Sequence, residues 1–396
     1  MHKRFAAAVP ALVAVIALNA AAQSKPAQPS ATAPKDMTVP NSTAYPSEVG
    51  GRSLEEWIKE IDNPDPSVRE QAIQTVLLFG PSATKAIPAI TGQVQRLNDI
   101  GPQAHAIIAL SELIPARTQA ATSAAPDKWT GDAVNALISV LNSPEAVIRF
   151  RAGTTLGWIG PPARAAVHQG QLTRLVTDRA SWEIRKAACF ALGTVGRDEQ
   201  GWPLVGALEA LANGLADQSK GVRLEALQAV IRLGPLASSA APPRLTETLR
   251  RRLTQERDKN LLVWVRVAMM RLNAAEINDK NLAPFTKDLK GSDSELRTTT
   301  IKALGLMGPA AKSAVPDLIE TLQKPIDPAT IIDVCTALSR MGQFADRAIG
   351  PLTTLQSTGA NDVVRSAAGE AIIEIKKAID AAKQQPPGPQ PPVKKP

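Results

Sequence analysis

The sequence predicts an all-α chain, an alpha-solenoid of about nine helical hairpins, on three observations. Aromatic residues make up only 3% of the chain although 44% of it is hydrophobic. The apolar content is therefore mostly Ala, Leu, Ile and Val, which suits closely packed helices better than a sandwich or a barrel. The second observation is self-similarity at about 31 to 44 residues: an apolar residue, an arginine and, in most copies, a small residue three positions later. The third is a glycine eleven residues after that arginine in five copies, Gly80, Gly160, Gly196, Gly234 and Gly308, four of them followed by proline.

In chain order, residues 1–22 read as a secretory signal peptide. His2, Lys3 and Arg4 precede an apolar run from Phe5 to Leu18, and Ala20, Ala21 and Ala22 form a small-residue cleavage site. A periplasmic or secreted protein is expected, with no transmembrane segment after cleavage. Residues 23–50 are rich in Pro, Ala, Ser and Thr and have no apolar period, so a disordered linker is expected. The tail, 383–396, reads KQQPPGPQPPVKKP. It is expected to be disordered too, either as a spacer or as a ligand for a proline-recognising domain.

The chain carries a net charge of +8, but residues 51–382 hold 38 basic and 35 acidic residues. The excess lies mostly in the ends, so nucleic acid is not an expected partner.

Between the ends, residues 51–382 are expected to form the solenoid. The pattern occurs at Val68-Arg69, Ile148-Arg149, Ile184-Arg185, Val222-Arg223, Val265-Arg266, Leu296-Arg297 and Val364-Arg365. Offsets +3, +4 and +7 from the arginine are mostly apolar or small, one face of an amphipathic helix. The glycine at +11 is expected as a left-handed cap, and proline after it forbids continuation. The first helices of the hairpins fall at Leu54–Ile61, Ala86–Leu97, Ala133–Leu141, Leu204–Leu215, Leu245–Leu253, Leu282–Leu289, Val315–Leu322 and Ile349–Leu355. In hairpins two and eight, His105 and Ile331 are read at the arginine's place.

The Val-Arg-x-x-Ala type of helix, the Gly-Pro stop and the Ala86-Ile-Pro-Ala-Ile90 helix resemble HEAT repeats, in the short bacterial subtype also found in phycobilin-lyase-like proteins. Gly51-Arg-Ser-Leu-Glu-Glu-Trp57 resembles the entry helix of exported bacterial HEAT proteins. The resemblance implies a right-handed alpha-solenoid, an armadillo-type alpha-alpha superhelix whose second helices line a concave side. It implies the fold far more than any one task. It also implies a structural ladder at Arg69, Arg149, Arg185, Arg223, Arg297 and Arg365, with the acids four residues earlier (Asp65, Glu145, Asp293) as partners.

No catalytic, cofactor or metal residues are assigned: after cleavage only His105 and His168 remain, on different hairpins, and zinc needs three or four placed ligands. The expected function is a non-catalytic scaffold for a protein partner, with a monomer as the simplest state. The alternatives are a lyase-like enzyme or carrier for a small apolar ligand, and adhesion to an anionic cell-surface polymer through the basic patch Arg250, Arg251 and Arg252. Offsets +1, +5 and +9 lie opposite the apolar face and are polar in most hairpins. Hairpins three and four place Phe150, Trp158 and Phe190 there, with Lys186 alongside, and Gln228 and Arg232 follow in hairpin five. An exposed aromatic cluster in so aromatic-poor a chain marks a candidate partner-binding site. Cys189 and Cys335 share offset +4 four hairpins apart, about 40 Å along a stack, so two buried reduced thiols are expected.

Overall fold

The computed structural model describes residues 45–120, 128–234, 241–273, 276–324 and 326–384. The signal peptide, most of the linker and residues 385–396 of the tail lie outside them. The chain divides into two compact units, one ending at Val140 and the other starting at Leu141.

The first unit begins earlier than its composition suggests. Strands β1 (Glu48–Val49) and β2 (Arg52–Ser53) pair antiparallel across Gly50 and Gly51, both at positive φ, and β1 with Gly50 lies within the segment read as linker. Trp57 Nε1 donates to the Val49 carbonyl at 2.9 Å, and the Arg52 guanidinium lies 5.2 Å from the Trp57 ring. Ser53 then opens α1 (Leu54–Glu60) with a capping box to Glu56. Helices α2 (Pro66–Val76), α3 (Ile87–Val94), α4 (Ile100–Ala120) and α5 (Lys128–Ser139) complete this unit. They form two hairpins, α1–α2 and α3–α4, with α5 packed on α3.

The second unit opens with α6 (Ala146–Ile159), followed by the short α7 (Ala165–His168) and α8 (Gln171–Leu175), then α9 (Trp182–Val195). The first helix of hairpin four, unassigned by periodicity, is the α7–α8 pair, broken where Gly170 adopts φ 76°. Then come the hairpins α10 (Val205–Leu215) with α11 (Lys220–Leu233), and α12 (Pro243–Gln255) with α13 (Lys259–Leu272). The last three are α14 (Asp279–Lys290) with α15 (Ser294–Met307), α16 (Val315–Leu322) with α17 (Pro328–Met341), and α18 (Ile349–Thr358) with α19 (Asp362–Gln384). Second helices stack on second helices, α6 on α9 on α11 and so on to α19, and α10 packs on α12 as α14 does on α16.

One burial pattern recurs on these second helices. Ile148, Ala152, Leu156 and Ile159 are buried on α6, and Leu296, Ile301, Leu304 and Met307 on α15. The glycine stops are real but differ from the expected left-handed cap. Gly160 has φ 74°, ψ −139° and Gly308 has φ 58°, ψ −132°, a region that a side chain rarely enters. Gly342 at φ 61° is a further member, eleven residues after Ile331, so hairpin eight keeps the stop although it lacks the arginine. Gly196 departs, with φ −79°. Its glycine is required for space, since a Cβ there would lie 2.3 Å from the Leu192 carbonyl oxygen.

Two register assignments move. On α4, Ala106, Ile107, Ala109, Leu110 and Leu113 are buried, which places Gln103, not His105, where the arginine stands elsewhere. Gln103 is 1% exposed and donates to the Val94 carbonyl at 2.7 Å, an amide doing a guanidinium's task. On α13, the buried set Val263, Val267, Ala268 and Met270 puts Trp264 in that place, and Arg266 lies outside the ladder. Cys189 and Cys335 are free and buried. Burial pushes the Cys189 thiol far above its usual range and the Cys335 thiol up to about 11.

Candidate functional site

The ladder arginines hold the frame. Each donates to carbonyls of the loop before its own helix: Arg149 to Ser143 at 2.7 Å, Arg223 to Gln218 at 2.9 Å, Arg365 to Gly359 at 2.7 Å. Their acidic partners are not the residues four positions earlier. Asp65 and Asp293 instead accept backbone N–H groups as helix caps, and Glu145 makes no capping bond. The partners sit in the following hairpin. Arg69 pairs with Asp99 in the first unit. In the second, Arg149 reaches Asp178 at 2.8 Å, Arg185 reaches Asp217 at 2.5 Å and Arg223 reaches Glu256 at 2.9 Å.

These bonds join into a relay, because the Asp178 carbonyl accepts from Arg185 and the Asp217 carbonyl from Arg223, both at 3.1 Å. Burial alone would raise the Asp178 and Asp217 carboxyls. Hydrogen bonds from Arg149 and Arg185 outweigh it and hold both below the usual carboxylate range. Among the described residues, Arg297 and Arg365 bond only within their own hairpins.

On this frame α6, α9 and α11 build a groove. Phe150, Thr154 and Trp158 stand one turn apart on α6, and Trp182, Lys186 and Phe190 do so on α9. The Trp158 and Phe190 rings meet at 5.3 Å between centroids, tilted by 56°. The Arg232 guanidinium lies 5.6 Å from the Phe190 ring and pairs with Glu225 at 2.7 Å. Two glycines make room: a Cβ on Gly157 would lie 2.6 Å from the Phe190 ring, and one on Gly221 would lie 3.2 Å from the Trp182 ring. The result is a cavity of about 300 Å³ lined by Phe150, Thr154, Trp158, Trp182, Glu183, Lys186, Ala187, Phe190 and Glu225. Phe150 is 38% exposed, Trp158 48% and Trp182 44%, whereas Phe190 is half-buried beneath them.

Of the residues singled out from the sequence, the structure brings Phe150, Trp158, Lys186 and Phe190 together in the groove, while Arg232 meets the Phe190 ring without lining the cavity. Gln228 is half-buried and does not line it. Trp182, Glu183 and Glu225 complete it. Trp182 was within reach of the same periodicity, since it lies one turn before Lys186 on the +1, +5, +9 stripe. Arg250 and Arg251 on α12 are exposed, while Arg252 is half-buried, and burial with the nearby Arg223 charge depresses its pKa. Among the described residues no cluster of potential ligands for a metal ion occurs, and no helix is long and apolar enough to cross a membrane.

Residues 282–373 match the family model for HEAT repeats. The chain contains HEAT repeats. The hairpins outside the matched span share its burial pattern and much of its arginine and glycine positions, so the fold is an alpha-solenoid of HEAT type. No curated protein matches the chain. Among solved structures, the HEAT repeats are similar to an engineered protein at 21% identity over 83% of this chain and 90% of that one, with a TM-score of 0.46. Importin beta is 13% identical over 83% of this chain and 47% of its own, with a TM-score of 0.48. The CpcE–CpcF complex of phycocyanin lyase from Nostoc sp. PCC7120 is 16% identical over 86% and 99%, with a TM-score of 0.39. At such identities and scores none of these likenesses bears on what this chain binds.

Proposed function

We propose that this HEAT-repeat protein is a non-catalytic scaffold that acts after export and holds a protein partner in the groove of α6, α9 and α11. The observation that carries this reading is the solvent-open cluster of Phe150, Trp158 and Trp182 around one cavity, in a chain with 3% aromatic residues. Leaving three such rings in water forgoes apolar burial that the rest of the molecule secures. Rings of this kind are the usual anchors of protein interfaces. By the family resemblance the second helices that carry them form the concave side. Export rests on the reading of residues 1–22.

The cavity also supports a second reading, a small apolar ligand. Its volume of about 300 Å³ stands at the lower end for ligand sites, and Glu183, Lys186 and Glu225 edge it.

The test uses full-length protein bearing Phe150→Ser, Trp158→Ser or Trp182→Ser, compared with wild type for the protein retained from a native periplasmic extract. Each variant is expected to lose about tenfold of that retention while its melting temperature moves by no more than about 2 °C. Retention unchanged in all three overturns the site, and a large fall in melting temperature in all three returns the rings to the core.

A further inference from the structure

We propose that the groove of α6, α9 and α11 receives the proline-rich segment 385–396 of a second copy of this chain. The proposal rests on the reading of the groove as a docking site and names its occupant.

The chemistry of the lining comes first. Phe150, Trp158 and Trp182 offer flat apolar faces, Glu183 is an exposed carboxylate beside Lys186, and Glu225 is held in a pair with Arg232. No free sheet edge is present on these helices, so strand addition has nothing to pair with. A polyproline II segment suits such a surface. Its rings stack on aromatic faces, its backbone stays solvated, and its stiffness limits the entropy lost on docking.

The length fits as well. Three stacked helices span about 20 Å from the first axis to the third, and a polyproline II segment rises about 3.1 Å per residue. Six or seven residues therefore cross the groove, which is the extent of Pro386 to Pro392, PPGPQPP. Lys394 and Lys395 follow after Val393 and bring positive charge towards the exposed carboxylate of Glu183, since Glu225 is already paired with Arg232.

The occupant comes from another molecule because the chain's own segment falls short. Helix α19 ends at Gln384, five second helices along the stack from α9. That path is about 50 Å, whereas the segment up to Pro392 extends about 25 Å. A groove on one copy that takes the tail of the next is a heterologous contact, and it adds copies head to tail. This departs from the monomer that the sequence suggests.

The experiment combines sedimentation velocity of the full-length protein over a concentration series with titration of a synthetic peptide of residues 384–396, followed by tryptophan emission. The protein is expected to associate as its concentration rises, and the peptide to reverse that association and shift the emission. A peptide with alanine at 386, 387, 389, 391 and 392 is expected to bind about tenfold more weakly. Trp182→Ser and Phe150→Ser proteins are each expected to lose about tenfold in peptide affinity with unchanged melting temperatures. A full-length protein that stays monomeric with no emission change overturns the proposal, as does an alanine peptide that binds equally well. If the peptide fails while Trp158→Ser still abolishes retention of a native partner, the groove stands and only this occupant is wrong.

Discussion

Two stretches of the second unit use the same hairpin for different ends. From α6 to α12 the ladder runs unbroken, Arg149 to Asp178, Arg185 to Asp217 and Arg223 to Glu256, and on α6 and α9 the outer stripe carries Phe150, Trp158 and Phe190. From α14 to α19, which contains the span matching the family model, Arg297 and Arg365 bond only inside their own hairpins. There the stripe is mostly polar, with Thr298, Lys302, Thr336, Arg340, Ser366 and Glu370 beside the apolar Leu306 and Ile332, and it carries no aromatic residue. Both stretches bury the same offsets of the second helix. The apolar face therefore specifies the fold, and the charged and aromatic positions around it are left to vary with the task.

The sharpest way to break the comparison is to cut the ladder in each stretch. Arg185→Met strands Asp217, whose side chain is 9% exposed, and should cost about 3 kcal/mol. Arg365→Met loses a bond to the Gly359 carbonyl and a solvent-exposed pair with Asp362, and should cost about 1 kcal/mol. Urea unfolding of the two variants measures the difference, and equal losses would refute a ladder confined to the first stretch.

A smaller effect separates the two helix contacts. A Cβ on Gly193 would lie 2.7 Å from the Ala229 Cα, against 3.0 Å between Gly305 and the Ala337 Cα. Gly193→Ala should therefore destabilise by about 2 kcal/mol and Gly305→Ala by about 1. Gly206→Ala on α10, where a Cβ meets nothing within 4 Å, should stabilise by about 0.5 kcal/mol.

Acid should weaken the ladder in a defined window. Asp178 and Asp217 have folded-state pKa values below the ordinary one, so the unfolded chain takes up protons first as pH falls. Their contribution is complete above about pH 4 and is lost as the pH drops through the folded values. Amide exchange should rise across α9 and α11 in that window before it does so across α15 and α17. Simultaneous loss would contradict the expected order.

The legibility of the chain follows the same division. The hairpins were readable because apolar offsets repeat with each helix and glycine closes most of the second helices. The ladder partners were not. The carboxylates at Asp178 and Asp217 lie about thirty residues from their arginines, across a loop whose path periodicity does not give. Gln103 escaped notice because an amide replaced the guanidinium that marks the register elsewhere. Phe150, Trp158 and Phe190 were legible as departures from a polar stripe, and Trp182 lay one turn beyond the stripe as drawn. Their meeting required Gly157 and Gly221, whose missing side chains make the space.

Single serine substitutions at Trp158 and Trp182 should cost only about 1 kcal/mol, because about half of each side chain is already in solvent. That small cost allows the most direct test of the claim that binding belongs to the aromatic stretch. Partner retention should be measured for the double variant Trp158→Ser with Trp182→Ser beside the double variant Lys302→Ser with Arg340→Ser. The first is expected to lose retention at an unchanged melting temperature, and the second to keep it. Retention that survives the first pair, or is lost with the second, would contradict the account.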